Sequence, residues 1–240
     1  MTEWRVKGIR IGDIYDDYSF NIAQTRMGEK MWVPCMVWYL TDGQHNVLYD
    51  TGFGDPAQVS VTQPLADVKQ ETPFPVILKR EACDPGQFDA VIISHLHWDH
   101  CGDLDLFTNA ELFVQWSELQ FELNPPSFFA SKETPSWASK RFTLLDGDEA
   151  LFPGLRVVAT PGHTAGHQSL VVQTGGRRVG LSGDLFMLYD SFAGGSGHYL
   201  PPPCIDFMAW FLSAEKFARQ CDEIVPSHDP RLTTKWIDEE

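Results

Sequence analysis

An α/β (α+β) fold with a mixed sheet core is predicted by three features of the sequence. Short strand-like runs recur along the chain, helical stretches are fewer and fall between them, and the most chemically loaded residues each come directly after an apolar run. In order, the runs are Val6–Ile11, Met36–Thr41, Asn46–Asp50, Ala90–Ser94, Leu155–Thr160, Ser169–Gln173 and Val179–Ser182, rich in the branched and aromatic side chains that suit a pleated surface. A helix is predicted over Gln115–Leu123, with Pro125 breaking it. The clearest helix begins at Asp206 as N-cap and carries Phe207, Trp210, Phe211, Ala214, Phe217, Ala218 and Cys221 at spacings of three and four. That pattern predicts an aromatic stripe facing the core. The order of elements is compatible with two sheets packed face to face and helices outside.

At 240 residues, 43% hydrophobic and 21% charged, the chain has ordinary globular make-up and is expected to form one domain, 1–240. No stretch approaches the roughly 20 apolar residues of a membrane span, and the first residues do not resemble a signal peptide. A cytoplasmic protein with no membrane partner is therefore expected. Cys35, Cys83, Cys101, Cys204 and Cys221 are scattered and include no Cys-x-x-Cys pair, which argues against a disulfide framework or a zinc knuckle. Cys101, although beside His100, reads as a small packing residue under the loop. A net charge of −15 argues against a nucleic-acid partner, because phosphate binding needs a Lys/Arg surface.

The densest chemistry lies in Ser94-His-Leu-His-Trp-Asp-His100, where His95, His97, Asp99 and His100 follow the apolar run Ala90–Ile93. A strand delivers His95 and His97 to one side of the chain, and the turn after them carries Asp99 and His100 to another, so one segment can feed two adjacent metal ions. Further candidates follow apolar runs downstream: His163 in Thr160-Pro-Gly-His163, Asp184 in Leu181-Ser-Gly-Asp184, and His228 in Val225-Pro-Ser-His228. Imidazole with carboxylate suits zinc first, with iron, cobalt or manganese as alternatives, better than calcium or magnesium.

This ordered set, His-x-His-x-Asp-His followed by separate His, Asp and His, resembles the metallo-β-lactamase superfamily, as does the upstream Asp50-Thr-Gly52. The resemblance implies a four-layer αββα sandwich, two mixed sheets with helices outside. It also implies two divalent ions: His95, His97 and His163 on one, Asp99, His100 and His228 on the other, with Asp184 bridging. Asp50 and His167 are expected to orient ligand imidazoles from behind. Two cations sharing a carboxylate lower the pKa of a water between them, so a nucleophile forms without Ser or Cys, and Asp99 is the expected proton carrier with Asp184 beside it.

Thr160-Pro-Gly-His-Thr-Ala-Gly-His-Gln-Ser169 and Val225-Pro-Ser-His-Asp229 look most like the N-acyl homoserine lactonase branch, implying hydrolysis of a small lactone or ester. Two alternative readings are a phosphotriester or aryl-ester hydrolase with the same ligands, and a mononuclear iron persulfide dioxygenase using His95, His163 and Asp184. One departure stands out. Those lactonases commonly carry a tyrosine three residues after the bridging aspartate, where this chain has Met187, although Tyr189 is near. Three segments are expected to be pocket loops, at 15–32, 124–142 and 189–203, offering Phe128, Phe129, Trp137, Met187, Tyr189 and Phe192 as candidate substrate contacts. The resemblance and the aromatic loop around Trp32 suggest a homodimer.

Overall fold

The computed structural model describes residues 2–63, 66–125, 136–193 and 198–237. Its elements in chain order begin with β1 (Arg5–Asp17), α1 (Tyr18–Asn21), β2 (Lys30–Thr41), β3 (Asn46–Tyr49), α2 (Pro56–Thr62), β4 (Asp67–Lys69), α3 (Phe74–Arg80), β5 (Ala90–Ile92), β6 (Glu111–Gln115) and α4 (Trp116–Leu123). They continue with β7 (Thr143–Leu145), β8 (Glu149–Phe152), β9 (Leu155–Ala159), β10 (Gln168–Thr174), β11 (Arg177–Leu181), α5 (Phe207–Ala218), β12 (Glu223–Val225) and β13 (Lys235–Trp236). Every predicted run lies within or overlaps a strand. One sheet runs β13-β1-β2-β3-β5-β6-β7, with β4 also on β1, and the other runs β12-β11-β10-β9-β8. Both are mixed: β3-β5-β6-β7 and β11-β12 pair in parallel, while the remaining pairs are antiparallel.

Alternation along the strands sorts side chains into three cores and hence four layers. Leu48 of β3 and Val91 of β5 face outward onto Val59 of α2 and Phe74 and Leu78 of α3. Their neighbours Val47, Tyr49, Ala90 and Ile92 face inward, onto Val157, Leu170, Val172, Val179 and Leu181 of the second sheet. Val158, next to Val157, turns to the far side and packs on Trp210, Ala214 and Phe217 of α5. This is the αββα sandwich.

Helix α5 starts as predicted, with the Asp206 carboxylate accepting the Ala209 N–H at 2.9 Å. Its stripe needs one correction: Phe207 is 56% exposed. Three residues before Trp210, it lies about 60° off the buried line, and its ring stacks on Trp210 from outside at 6.0 Å. The expected loop at 15–32 is also shorter. Tyr15, Asp16 and Asp17 continue β1 and pair with Trp32, Met31 and Lys30, helped by a Tyr15–Trp32 ring contact at 4.9 Å, so only residues 18–29 connect the strands.

β3, β5, β9, β11 and β12 are followed directly by Asp50, the His95–His100 run, His163, Asp184 and His228 in turn. Parallel pairing of β3 with β5 and of β11 with β12, together with two antiparallel steps from β9 to β11, sends the strands of each sheet out in a common direction. That is how five segments scattered over 179 positions reach one place.

Candidate metal centre

Two groups of donor atoms form where these strands end. His95, His97, His163 and Asp184 make one, and Asp99, His100 and His228 make the other, each with its ligand atoms within 4.8 Å of one another. In the first, His97 Nδ1 lies 2.9 Å from His95 Nε2 and 3.1 Å from His163 Nε2, while Asp184 Oδ2 lies 3.7 and 3.4 Å from those two Nε2 atoms. In the second, the Nε2 atoms of His100 and His228 lie 3.6 and 3.7 Å from Asp99 Oδ2, and 3.3 and 3.2 Å from Asp184 Oδ1. The Asp184 carboxylate thus turns one oxygen to each group.

Hydrogen bonds behind the His163, His228, His100 and His95 rings fix which nitrogen of each is free. His163 Nδ1 donates to Pro203 O at 2.8 Å and His228 Nδ1 to Pro34 O at 2.9 Å. Asp50, at φ +64°, accepts the Ser94 N–H at 2.7 Å, the Ser94 hydroxyl at 2.9 Å and His100 Nδ1 at 2.8 Å. Because the Ser94 hydroxyl is spent on Asp50, its oxygen accepts from His95 Nδ1 at 2.9 Å. Asp50 therefore orients one imidazole of each group, His100 directly and His95 through Ser94.

His167 supports the site without entering it. The Asp184 N–H donates to His167 Nε2 at 3.0 Å, so the ring proton sits on Nδ1 and donates to Thr160 Oγ1 at 2.8 Å. Thr160 then donates to Ser169 Oγ at 2.9 Å, which donates to Ser182 O at 2.7 Å. Gly183, at φ +53°, makes the turn that brings Asp184 there. A Cβ on Gly183 would lie 2.8 Å from His167 Nε2 and from Tyr49 Oη. Ser227 completes the carboxylate's shell, donating to Asp184 Oδ1 at 2.7 Å.

Burial sets the charge states. Loss of hydration pushes His95, His163 and His167 below the ordinary histidine range and His97 down to about 3, so these rings are neutral and offer lone pairs. Burial acts in the same sense on His100 and His228, but the charges of Asp184 and Asp99 outweigh it and raise both. Asp184 in turn is held well below the carboxylate range by His100 and His228, against its own burial. Cations suit this cluster. In the first group the Nε2 lone pairs of His95 and His163 both approach His97 Nδ1, which can donate to only one of them, and the buried Nε2 atoms of His100 and His228 have no aligned hydrogen-bond partner among the described residues.

The donors open onto a cavity of about 220 Å³ that His97, Asp99, His163, Asp184 and His228 all reach. Ile14, Phe20, Val33 and Met187 supply apolar wall, and Asp16 and Asn21 supply polar wall. Burial raises the Asp16 carboxyl despite the Asp17 N–H it accepts at 2.8 Å. Within segment 15–32, Asp16, Phe20 and Asn21 line this cavity from a strand end and a short helix.

Of the expected substrate contacts, Met187 lines this cavity. Trp137 does not: it is 3% exposed and packed in the core outside the first sheet, where burial of its large ring outweighs the polar character of its segment. Tyr189 and Phe192 face a separate depression with Tyr199 and Cys221. The chain after Asp184 passes through two 3₁₀ turns, Gly183–Leu185 and Tyr189–Phe192, so a two-residue step does not preserve the face as it would in a strand. Arg231 covers the Tyr189 ring at 4.4 Å, and Tyr189 is not among the described residues that line the cavity at the donor groups. Phe128 and Phe129 lie outside the described residues. Cys101 packs as expected, 2% exposed with its thiol donating to His97 O.

Sequence reasoning missed Glu118. Fully buried on α4, its carboxylate accepts the Leu96 N–H at 2.9 Å and the Gly166 N–H at 2.8 Å, bracing the His95–His97 loop against the His163 loop. Trp116 and Leu123 of the same helix are each 51% exposed, so the helix presents its acid inward and two apolar residues outward.

Residues 31–228 match the family model of the metallo-beta-lactamase superfamily. An N-acyl homoserine lactonase of Bacillus thuringiensis is 30% identical over 183 residues, 72% of each chain. The crystal structure of a quorum-quenching N-acyl homoserine lactone lactonase superposes with TM-score 0.80 at 26% identity, covering 96% of this chain and 94% of the other. An N-acyl homoserine lactone hydrolase solved with N-hexanoyl-L-homoserine at its catalytic metal centre gives TM-score 0.81 at 24% identity, covering 96% and 95%.

Proposed function

The chain belongs to the metallo-beta-lactamase superfamily, and from that premise we propose that it is a dinuclear zinc hydrolase that opens a lactone of the N-acyl homoserine type. His95, His97, His163 and Asp184 Oδ2 would hold one ion, and Asp99, His100, His228 and Asp184 Oδ1 the other. The observation that carries the reading is the Asp184 carboxylate, divided between two converging sets of donors that meet one cavity. When bound, a pair of such ions lowers the pKa of water and polarises a carbonyl oxygen.

The chain's own residues do the rest. Asp50, Ser94, His167 and Ser227 lock the ligand orientations before substrate arrives, so little reorganisation accompanies reaction. Asp99 lies on the cavity surface and serves as the group that receives a proton and returns it to the departing alkoxide. Ile14, Phe20, Val33 and Met187 take the apolar part of the substrate and keep water from it. The lactone assignment is supported by the lactonase relatives. The complete second donor group favours two ions over the mononuclear iron alternative, which leaves Asp99, His100 and His228 without a role.

The test is steady-state hydrolysis of N-acyl homoserine lactones, aryl esters and phosphotriesters by the zinc-loaded protein. Preferred turnover of lactones, lost on chelation, is expected. Preference for phosphotriesters or aryl esters would replace the lactone assignment.

A further inference from the structure

Asn21 is fully buried, lines the cavity shared with the metal-binding donors, and has neither carboxamide Oδ1 nor Nδ2 paired to any described residue. Folded chains rarely retain a desolvated amide in that state, and an apolar side chain of equal size would suit the position better on stability alone. Slack in the segment does not explain it. The Asp17 carboxylate caps α1 by accepting the Ser19 N–H at 3.0 Å, and the Tyr18 hydroxyl donates to Asp190 Oδ2 at 2.8 Å. On the other side Ile22 is packed in the core and the Ala23 N–H donates to Pro201 O at 2.8 Å. Anchors on both sides hold Asn21 beside the cavity with its donor and acceptor buried and unpaired among the described residues.

We propose that Asn21 is a specificity-determining residue of this site, its carboxamide hydrogen-bonding an acylamino group that the substrate carries beside the scissile ester. The proposal rests on the lactonase reading and adds the residue that reads the substituent. The chemistry selects the group. A carboxylate would use only Nδ2–H and would face Asp16 on the same wall, and an ammonium would use only Oδ1. An α-acylamino ester is neutral and presents an N–H and a neighbouring carbonyl on one side of its α-carbon, matching the acceptor and donor of a single carboxamide. Rotation of the amide about its last bond exchanges the two ends, so either approach can be met.

The test compares an α-acylamino-γ-lactone with its α-acyloxy counterpart, which is nearly isosteric and lacks only the N–H, in the wild type and in Asn21→Leu. The wild type is expected to favour the acylamino lactone by roughly 10- to 100-fold in kcat/KM, and the variant to bring that ratio close to one. A ratio unchanged by the substitution, or equal losses on both substrates, overturns the proposal. Thermal unfolding supplies a second readout. If the amide is kept for substrate, Asn21→Leu unfolds at the same or a higher temperature than the wild type. A lower midpoint means the carboxamide is held within the protein, and also overturns it. If the wild type opens neither lactone, the lactonase reading fails separately. Calorimetric affinity for the ring-opened N-acyl amino acid against its O-acyl analogue, in wild type and variant, then decides the role of Asn21.

Discussion

Replacing Glu118 by glutamine separates the placement of the ligand loops from the chemistry at the ligands. Among the described residues Glu118 makes no hydrogen bond to a predicted ligand side chain; each of its oxygens accepts one backbone N–H, from Leu96 at 2.9 Å and Gly166 at 2.8 Å. Glutamine keeps the shape but turns an NH₂ toward one of those donors. One charge-assisted hydrogen bond, about 1.5–3 kcal/mol, is lost and the other weakens to about 1 kcal/mol. Relief of the buried charge offsets part of this, since burial already raises the Glu118 carboxyl. A net loss of about 2 kcal/mol follows, or roughly 4–8 °C in Tm for a chain of this size. The loops at stake carry His95, His97 and His163, so the first donor group loosens while Asp99, His100 and His228 keep their supports. Metal affinity at that group should fall about 10- to 100-fold. Calorimetric unfolding of the metal-loaded protein, competition with a chromophoric chelator, and kcat at saturating metal measure the three quantities. Lower Tm and weaker binding of one ion, with kcat largely recovered in excess metal, are expected. Unchanged metal affinity together with a lowered Tm would refute the bracing argument.

Two further outcomes are expected. His97→Ala and Asp184→Asn should each reduce hydrolysis to background while circular dichroism reports a folded chain, because the three cores close without these side chains; full activity in both would remove the dinuclear mechanism. After chelation, acid should destabilise the protein below about pH 6.5. There the unfolded chain binds protons that buried His95, His163, His167 and, down to about pH 3, His97 refuse, at up to ~1.4 kcal/mol per pH unit for each ring. His100 and His228, raised by Asp184, act oppositely: their contribution is complete below about pH 6.5 and is lost as pH climbs through their folded values. Urea midpoints of the chelated protein between pH 7 and 4 check this, and midpoints that rise on acidification would contradict it.

Much of this was legible in the sequence because the relevant signals are local. Strand periodicity marks β3, β5, β9, β10 and β11 within a residue or two, and Asp206 announces α5 through its cap. The two donor groups are legible because four of their residues share one short run and the others stand at strand ends. What stayed hidden depends on tertiary placement. Glu118 is an acid on the inward face of a helix whose Trp116 and Leu123 point out, the reverse of the usual pattern. Asn21 looks like any loop asparagine until its burial and its missing partners are seen together. Aromatic content marked Trp137, Tyr189 and Phe192 as substrate contacts, but such rings bury wherever apolar space exists. Here that space is the core for Trp137 and a second depression for the other two.

The central claim, two ions held by the two donor groups with Asp184 between them, is tested most directly by counting metal. Protein purified without added metal would be measured by mass spectrometry for ions per chain, with lactone hydrolysis followed as a chelated sample is titrated back. About two zinc ions per chain, with activity complete only at the second equivalent, is the expected result. A single iron per chain with no hydrolysis at any loading would contradict it.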